Sequence, residues 1–116
     1  MDSSIVVSGI GERPAIVHLQ QFQLPGYTTG SGCIGSAFTQ RMFKLCQAGD
    51  WAAAAALRER FIPLEDIRDA LGPARVLHAA TTVAGITDAG AIPPFLTELS
   101  PEQEARLPAA LASLLA

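Results

Sequence analysis

The sequence predicts an α/β chain that is mostly helical, with two short strands near the N-terminus and helices from there to the end. Three observations carry that expectation. "SSIVVSG" (Ser3 to Gly9) is a β-branched run closed by a glycine, the pattern of a short buried strand. "LPGYTTGSGCIGS" (Leu24 to Ser36) leaves Pro-Gly as a β-branched run and passes through glycines toward a helix start. Beyond Ser36, apolar residues recur at three- and four-residue spacings, which is the period of an amphipathic helix.

Taken in order, "GERPAIVHLQQF" follows the first strand and reads as a helix, with Pro14 tolerated in its first turn and Ile16 and Leu19 on one face. Leu24-Pro25-Gly26 closes it and "YTTG" makes the second strand. Ser36 is placed to cap the next helix, where Phe38, Met42, Leu45 and Cys46 form one stripe. Gly49-Asp50 stops that helix and caps another, whose apolar side carries Leu57, Phe61, Leu64 and Leu71. Pro63 should kink or split it, because proline removes a backbone donor and clashes with the preceding turn. Gly72-Pro73 restarts the chain as a helix ending near Gly85, and "TDAGAIPPF" is loop. "SPEQ" (Ser100 to Gln103) is a capping box with proline at the first helical position. Leu107, Leu111 and Leu114 give the last helix a buried face, and Pro108 should bend it.

Two strands followed only by helices cannot make a covered parallel sheet, because both strand edges stay open. Composition points the same way. Of 116 residues, 49% are hydrophobic and 16% charged, against about 25% charged in an average soluble domain. So much apolar surface on a small body calls for a partner, an oligomer or a larger parent fold. The net charge of −3 and the scattered basic residues exclude a nucleic-acid footprint. No apolar run approaches the roughly 18 residues of a membrane span, and "MDSSIVV" lacks a signal peptide's basic start. Cys33 and Cys46 stand alone, so neither a metal site nor a disulfide scaffold is expected. The cytoplasm is the expected compartment.

The ordered set "VVSG", "GYTTGSGCI", "AGDWAAAAALRERFIPL" and Ile92-Pro93-Pro94-Phe95 resembles the C-terminal portion of the dihydrodipicolinate synthase / N-acetylneuraminate lyase family, the Schiff-base aldolases and lyases. Ile92 stands where many relatives carry Arg, Cys33 where many carry Asn, and Gly11-Glu12 replaces a more usual Asp pair. The resemblance implies a fragment of a (β/α)8 TIM barrel. Residues 1–49 would be its last two strand–helix units and residues 50–116 its helical extension, forming one compact domain. It implies aldol addition or cleavage, or dehydration, through a Schiff base with a pyruvate-type substrate. The family's lysine and its tyrosine would precede Met1, so no catalytic residue is expected in this chain. The only lysine, Lys44, lies in mid-helix and reads as solvated.

The resemblance implies that Ser8, Gly9, Thr28 and Thr29 contact a small 2-oxo acid in the parent fold. By itself the glycine-rich turn from Thr28 to Gly35 is open to two readings: an anion cradle of backbone amides, or close strand–helix packing. His18 and His78 read as helix-border residues, Tyr27 as a packed aromatic, and Glu65 to Asp69 as a solvated charged face with i,i+3 pairs. No cofactor and no metal are expected. The expected partner is a second copy or an N-terminal barrel segment. The rival readings are a non-catalytic small-anion-binding module and a self-assembly module.

Overall fold

A computed structural model describes residues 2–116. A 3-10 turn at Ser3–Ile5 precedes α1 (Glu12–Gln21), and a second, Ser31–Cys33, leads into α2 (Ser36–Gln47). There follow α3 (Trp51–Arg58), α4 (Ile62–Leu71), α5 (Pro73–Val83), the short α6 (Pro101–Glu104) and α7 (Leu107–Leu115).

Neither expected strand forms, and among the described residues the architecture is helical throughout. The reading of the first part as strand–helix units of a TIM barrel is therefore corrected. What remains is one parallel bridge between Ser8 and Tyr27. The Ser8 N–H donates to the Gly26 carbonyl (2.9 Å) and the Thr28 N–H donates to the Ser8 carbonyl (2.8 Å). Local geometry stops the pairing on both sides. The Asp2 side chain accepts from the Ser4 N–H at 2.9 Å and winds Ser3–Ile5 into a turn. Ile10 (φ 75°) and Gly11 (φ 87°) then turn the chain sharply away. A β-branched run forms a ladder only where successive residues find partners.

Ser36 does not cap α2: it is the first helical residue, after an N-cap Gly35, and no side chain caps that start. The other helices follow their sequence signals closely. Asp50 caps α3 by accepting from the Ala53 N–H at 3.1 Å. Pro63 does split the long apolar stretch: it lies in the first turn of α4, after the break that ends α3. The Ser100–Gln103 capping box is complete. Pro108 falls in the first turn of α7, so the final helical stretch is divided into α6 and α7 rather than bent.

Two hydrophobic clusters result. The first joins α1, α2 and α3 through Ala15, Ile16, Leu19, Met42, Cys46 and Ala54. The second gathers Ile34 and Leu99 with α4, α5 and α7, centred on Phe61, Leu64, Leu107 and Leu114. The loop of residues 22–35 and the polar face of α4 lie between them and build the site described next.

Candidate functional site

Helix α1 begins without a cap of its own, because its N-cap residue is Gly11. The missing acceptor comes from α4. Glu65, fully buried, accepts from the Glu12 N–H (2.9 Å) and the Arg13 N–H (3.0 Å), satisfying two of the orphan donors of a helix start. Glycine is required at position 11 on two counts. Its φ of 87° suits no other residue well, and a Cβ there would lie 2.5 Å from Glu65 Oε1 and 2.6 Å from Arg68 Nη1.

Arg68, also buried, lies 3.3 Å from Glu65 through Nη1 and donates from Nη2 to the Ile10 carbonyl at 3.0 Å. Its other face donates to Asp69 Oδ1 from Nε and Nη2, at 3.1 and 3.0 Å. The charged stretch from Glu65 to Asp69 is thus not a solvated face. Asp66 and Asp69 are exposed, with Arg13 donating to Asp66, but Glu65 and Arg68 point inward. Their i,i+3 pairing is present, with long-range partners that a local reading could not supply. Burial pushes the Glu65 carboxyl up from its ordinary value to about 7, against the lowering by the Glu12 amide and Arg68.

A second buried carboxylate, Glu12, ties this network to the glycine-rich turn. It accepts from Thr29 Oγ1 at 2.7 Å and from Thr39 Oγ1 at 2.8 Å. The Thr29 oxygen in turn accepts from the Gly32 N–H at 3.0 Å, so its hydroxyl is fully engaged. The result is a cleft of about 390 Å³ lined by Ile10, Gly11, Thr28, Gly30, Arg68 and Asp69, among others.

The four residues expected to meet a ligand are placed unequally. Thr28 and Thr29 both line the cleft, and Thr28 is exposed, its Oγ1 only loosely held at 3.5 Å from the Ser8 carbonyl. Gly9 is exposed. Ser8 is buried, with its Oγ 2.7 Å from His18 Nδ1 and 3.2 Å from the Gly9 carbonyl. Tyr27 packs edge-on to Phe43 and donates to the Thr39 carbonyl at 3.1 Å, and burial raises its phenol above the usual range. Lys44 is exposed on α2. Sequence reasoning missed Glu65 and Arg68. The available signal was that positions 61, 65 and 68 continue the apolar stripe of α4.

No family model matches the chain, and neither does any curated protein. Among solved structures it is similar to a crystal structure of dihydrodipicolinate synthase, with 20% sequence identity and a TM-score of 0.83. The match covers 94% of this chain and 37% of that one, so this chain spans little more than a third of that protein's length. The likeness is one of fold. Among the described residues no helix is long and apolar enough to cross a membrane.

Proposed function

We propose that this chain is the C-terminal, helical part of a Schiff-base lyase of the dihydrodipicolinate synthase kind, and that it supplies a wall of the substrate pocket rather than the nucleophile. The observation that carries this reading is the fold likeness over 94% of the chain to about 37% of a protein of that description. The chemistry would be aldol addition or cleavage, or dehydration, on a small 2-oxo acid such as pyruvate. Such chemistry starts with an amine that is neutral at working pH, which requires burial or a cationic neighbour. Lys44 has neither the burial nor a place at the cleft. The nucleophile would therefore come from another segment or another chain.

Within the wall the residues divide by role. The Thr28 hydroxyl and the Gly9 backbone are exposed and are the groups that would donate to a ligand carboxylate or carbonyl. Ser8 and Thr29 are engaged by His18 and Glu12, so their part is to hold the turn in shape. The rival reading, a self-standing anion-binding module, has less support. Arg68 is already neutralised by Glu65 and Asp69, and Asp69 itself lines the cleft.

Reductive trapping tests the proposal. Incubation with pyruvate and borohydride should leave the intact mass unchanged, while a lysine-bearing full-length lyase gains a stoichiometric adduct. An adduct on Lys44 would overturn the reading. A second test is the coding DNA upstream of Met1. An open frame there that encodes a Tyr- and Lys-bearing segment is the expected finding, and an immediate in-frame stop argues for the module instead.

A further inference from the structure

The loop between α5 and α6 holds an aromatic side chain out in water. Phe95 is fully exposed, and Leu96 beside it is half-exposed. Phe95 also sits at φ 79°, a conformation that a bulky residue keeps only where its surroundings impose it. Here they do so from both sides. Pro93 and Pro94 stiffen the approach. Beyond Phe95, the Arg75 guanidinium donates to the Thr97 and Glu98 carbonyls. The Glu98 carboxylate accepts from the Ile92 N–H at 3.1 Å and closes the loop. An aromatic on a braced loop has little freedom left to lose on burial, which suits it to anchor an interface.

A receptor of matching chemistry lies on the same chain. Between α2 and α3 runs a groove of about 430 Å³ lined by Arg41, Leu45, Ala53, Ala56, Leu57 and Arg60. Its lining is apolar apart from the two arginines. Arg60 stacks over the Phe38 ring at 4.5 Å. Among the described residues neither arginine has a carboxylate within ion-pair distance. The two regions are oppositely charged. Residues 84–106, which hold the loop and α6, carry the carboxylates Asp88, Glu98, Glu102 and Glu104 against the single cation Arg106. Residues 36–60 carry Arg41, Lys44, Arg58 and Arg60 against Asp50 and Glu59. Arg75, beneath the loop, is occupied by backbone carbonyls.

We propose that the Phe95 loop of one copy docks in the α2–α3 groove of a second copy, with its apolar tip in the groove and its acidic flank against Arg41 and Arg60. The contact joins two different surfaces, so a pair still has one free loop and one free groove. Repetition then gives a ring or a filament and does not stop at a symmetric dimer. Burial of Phe95 and Leu96 removes apolar surface from water and supplies the strength. The flanking charges set orientation and encounter rate. None of the groove's lining residues lines the cleft of Thr28 and Arg68, so the contact stands apart from the function proposed for that cleft.

Sedimentation of the intact chain across a range of micromolar concentrations tests the contact. Wild type should form species larger than a monomer, and less of them as salt is raised. Phe95→Ser and Arg41→Glu both change exposed positions, so each variant should keep the fold. F95S should weaken association by at least about tenfold, the size of an interface anchor. R41E should weaken it by about fivefold, and by less at high salt. Mixing the two variants is the decisive arm. An F95S copy keeps an intact groove and an R41E copy an intact loop, so the mixture should form a one-to-one pair and nothing larger. A photo-crosslinker placed at position 95 should join α2 or α3 of another copy. A monomeric wild type overturns the proposal, as does association that F95S leaves unchanged. So do crosslinks that map only outside residues 36–60, or a mixture that does not pair. Adsorption to phosphatidylcholine vesicles through Phe95 without self-association also overturns it, since the anchor would then serve a membrane surface.

Discussion

The two hydrophobic clusters differ in where their helices are capped. In the cluster of α4, α5 and α7, bulky side chains interlock: Phe61, Leu64, Leu107 and Leu114 are all fully buried. The helix starts there are built from adjacent residues, with proline in the first turn of α4, α5 and α7 and the Ser100 box on α6. The cluster of α1, α2 and α3 leans on small residues such as Ala15 and Ala54, and α1 borrows its cap from α4. Only α1 takes its cap from the other cluster, since α3 is capped by its own neighbour Asp50. The lesson is that a polar network between two small cores can make a helix of one depend on a side chain of the other.

The heaviest blow to that comparison is Phe61→Ala. Truncating a fully buried aromatic costs about 3–5 kcal/mol. Because Phe61 lies one turn before Glu65 and accepts its N–H through the main-chain carbonyl, damage there should spread to α1. Denaturant unfolding should show one transition moved to lower concentration for probes in both clusters. A first cluster that stays folded while the second melts would break the dependence.

The next effect is one of pH. Glu65 has its folded-state pKa raised from 4.5 to about 7, with burial as the largest cause. A raised acid pKa means the folded state binds the proton more tightly than the unfolded state. The contribution is thus fully present below the unfolded value and is lost as pH rises through about 7. Between those limits wild type should lose stability relative to E65Q, by an amount on the order of 2–3 kcal/mol. Paired denaturant titrations at mildly acid and mildly alkaline pH measure it. Relative stability that rises with pH would contradict the burial argument.

What could be read from the sequence divides by whether a signal's partner lies nearby in the chain. The self-capped helices were legible because their signals are adjacent in sequence: Asp50 before Trp51, Pro63 after the break, and Ser-Pro-Glu-Gln at α6. The strands were misread because "SSIVVSG" and "GYTTG" have strand composition, whereas a strand also needs a partner along its length, and only Ser8 and Tyr27 meet. Thr28 and Thr29, which line the cleft, were singled out by the family resemblance, because the glycine-rich turn alone is open to two readings. Glu65 and Arg68 were not, because their partners Glu12 and Ile10 lie far away in sequence. A charged pair within an apolar stripe signals a buried ion pair only when something distant is there to receive it.

Gly11→Ala sharpens the comparison at smaller cost. Positive φ and a Cβ pressed against Glu65 and Arg68 should together destabilise by about 2 kcal/mol. The loss should be local to α1: amide exchange rises across residues 12–21, while α5 and α7 keep their protection. Uniform loss of protection in all helices would mean that the dependence runs in both directions.

Ser100→Ala is the mildest test and the cleanest control. In the wild type Ser100 Oγ accepts from the Gln103 N–H at 3.3 Å, and Gln103 Oε1 accepts from the Ser100 N–H at 2.9 Å. Removing the hydroxyl leaves one helix-start donor without its partner, which costs about 1 kcal/mol. Water can reach it, because Ser100 is only half-buried, so a larger penalty is not expected. The second half of the box survives, since the Gln103 side chain still serves the backbone of residue 100. Leu99 and Leu107 anchor the segment on either side of α6, so the chain path should hold. Exchange should rise at Gln103 and its neighbours and stay unchanged at Glu12 and Arg13, whose acceptor is Glu65. Faster exchange at those two amides would show that this cap is felt in the first cluster by a route other than Glu65, such as the Arg13–Asp66 pair or Phe38 of α2 packed on the second cluster.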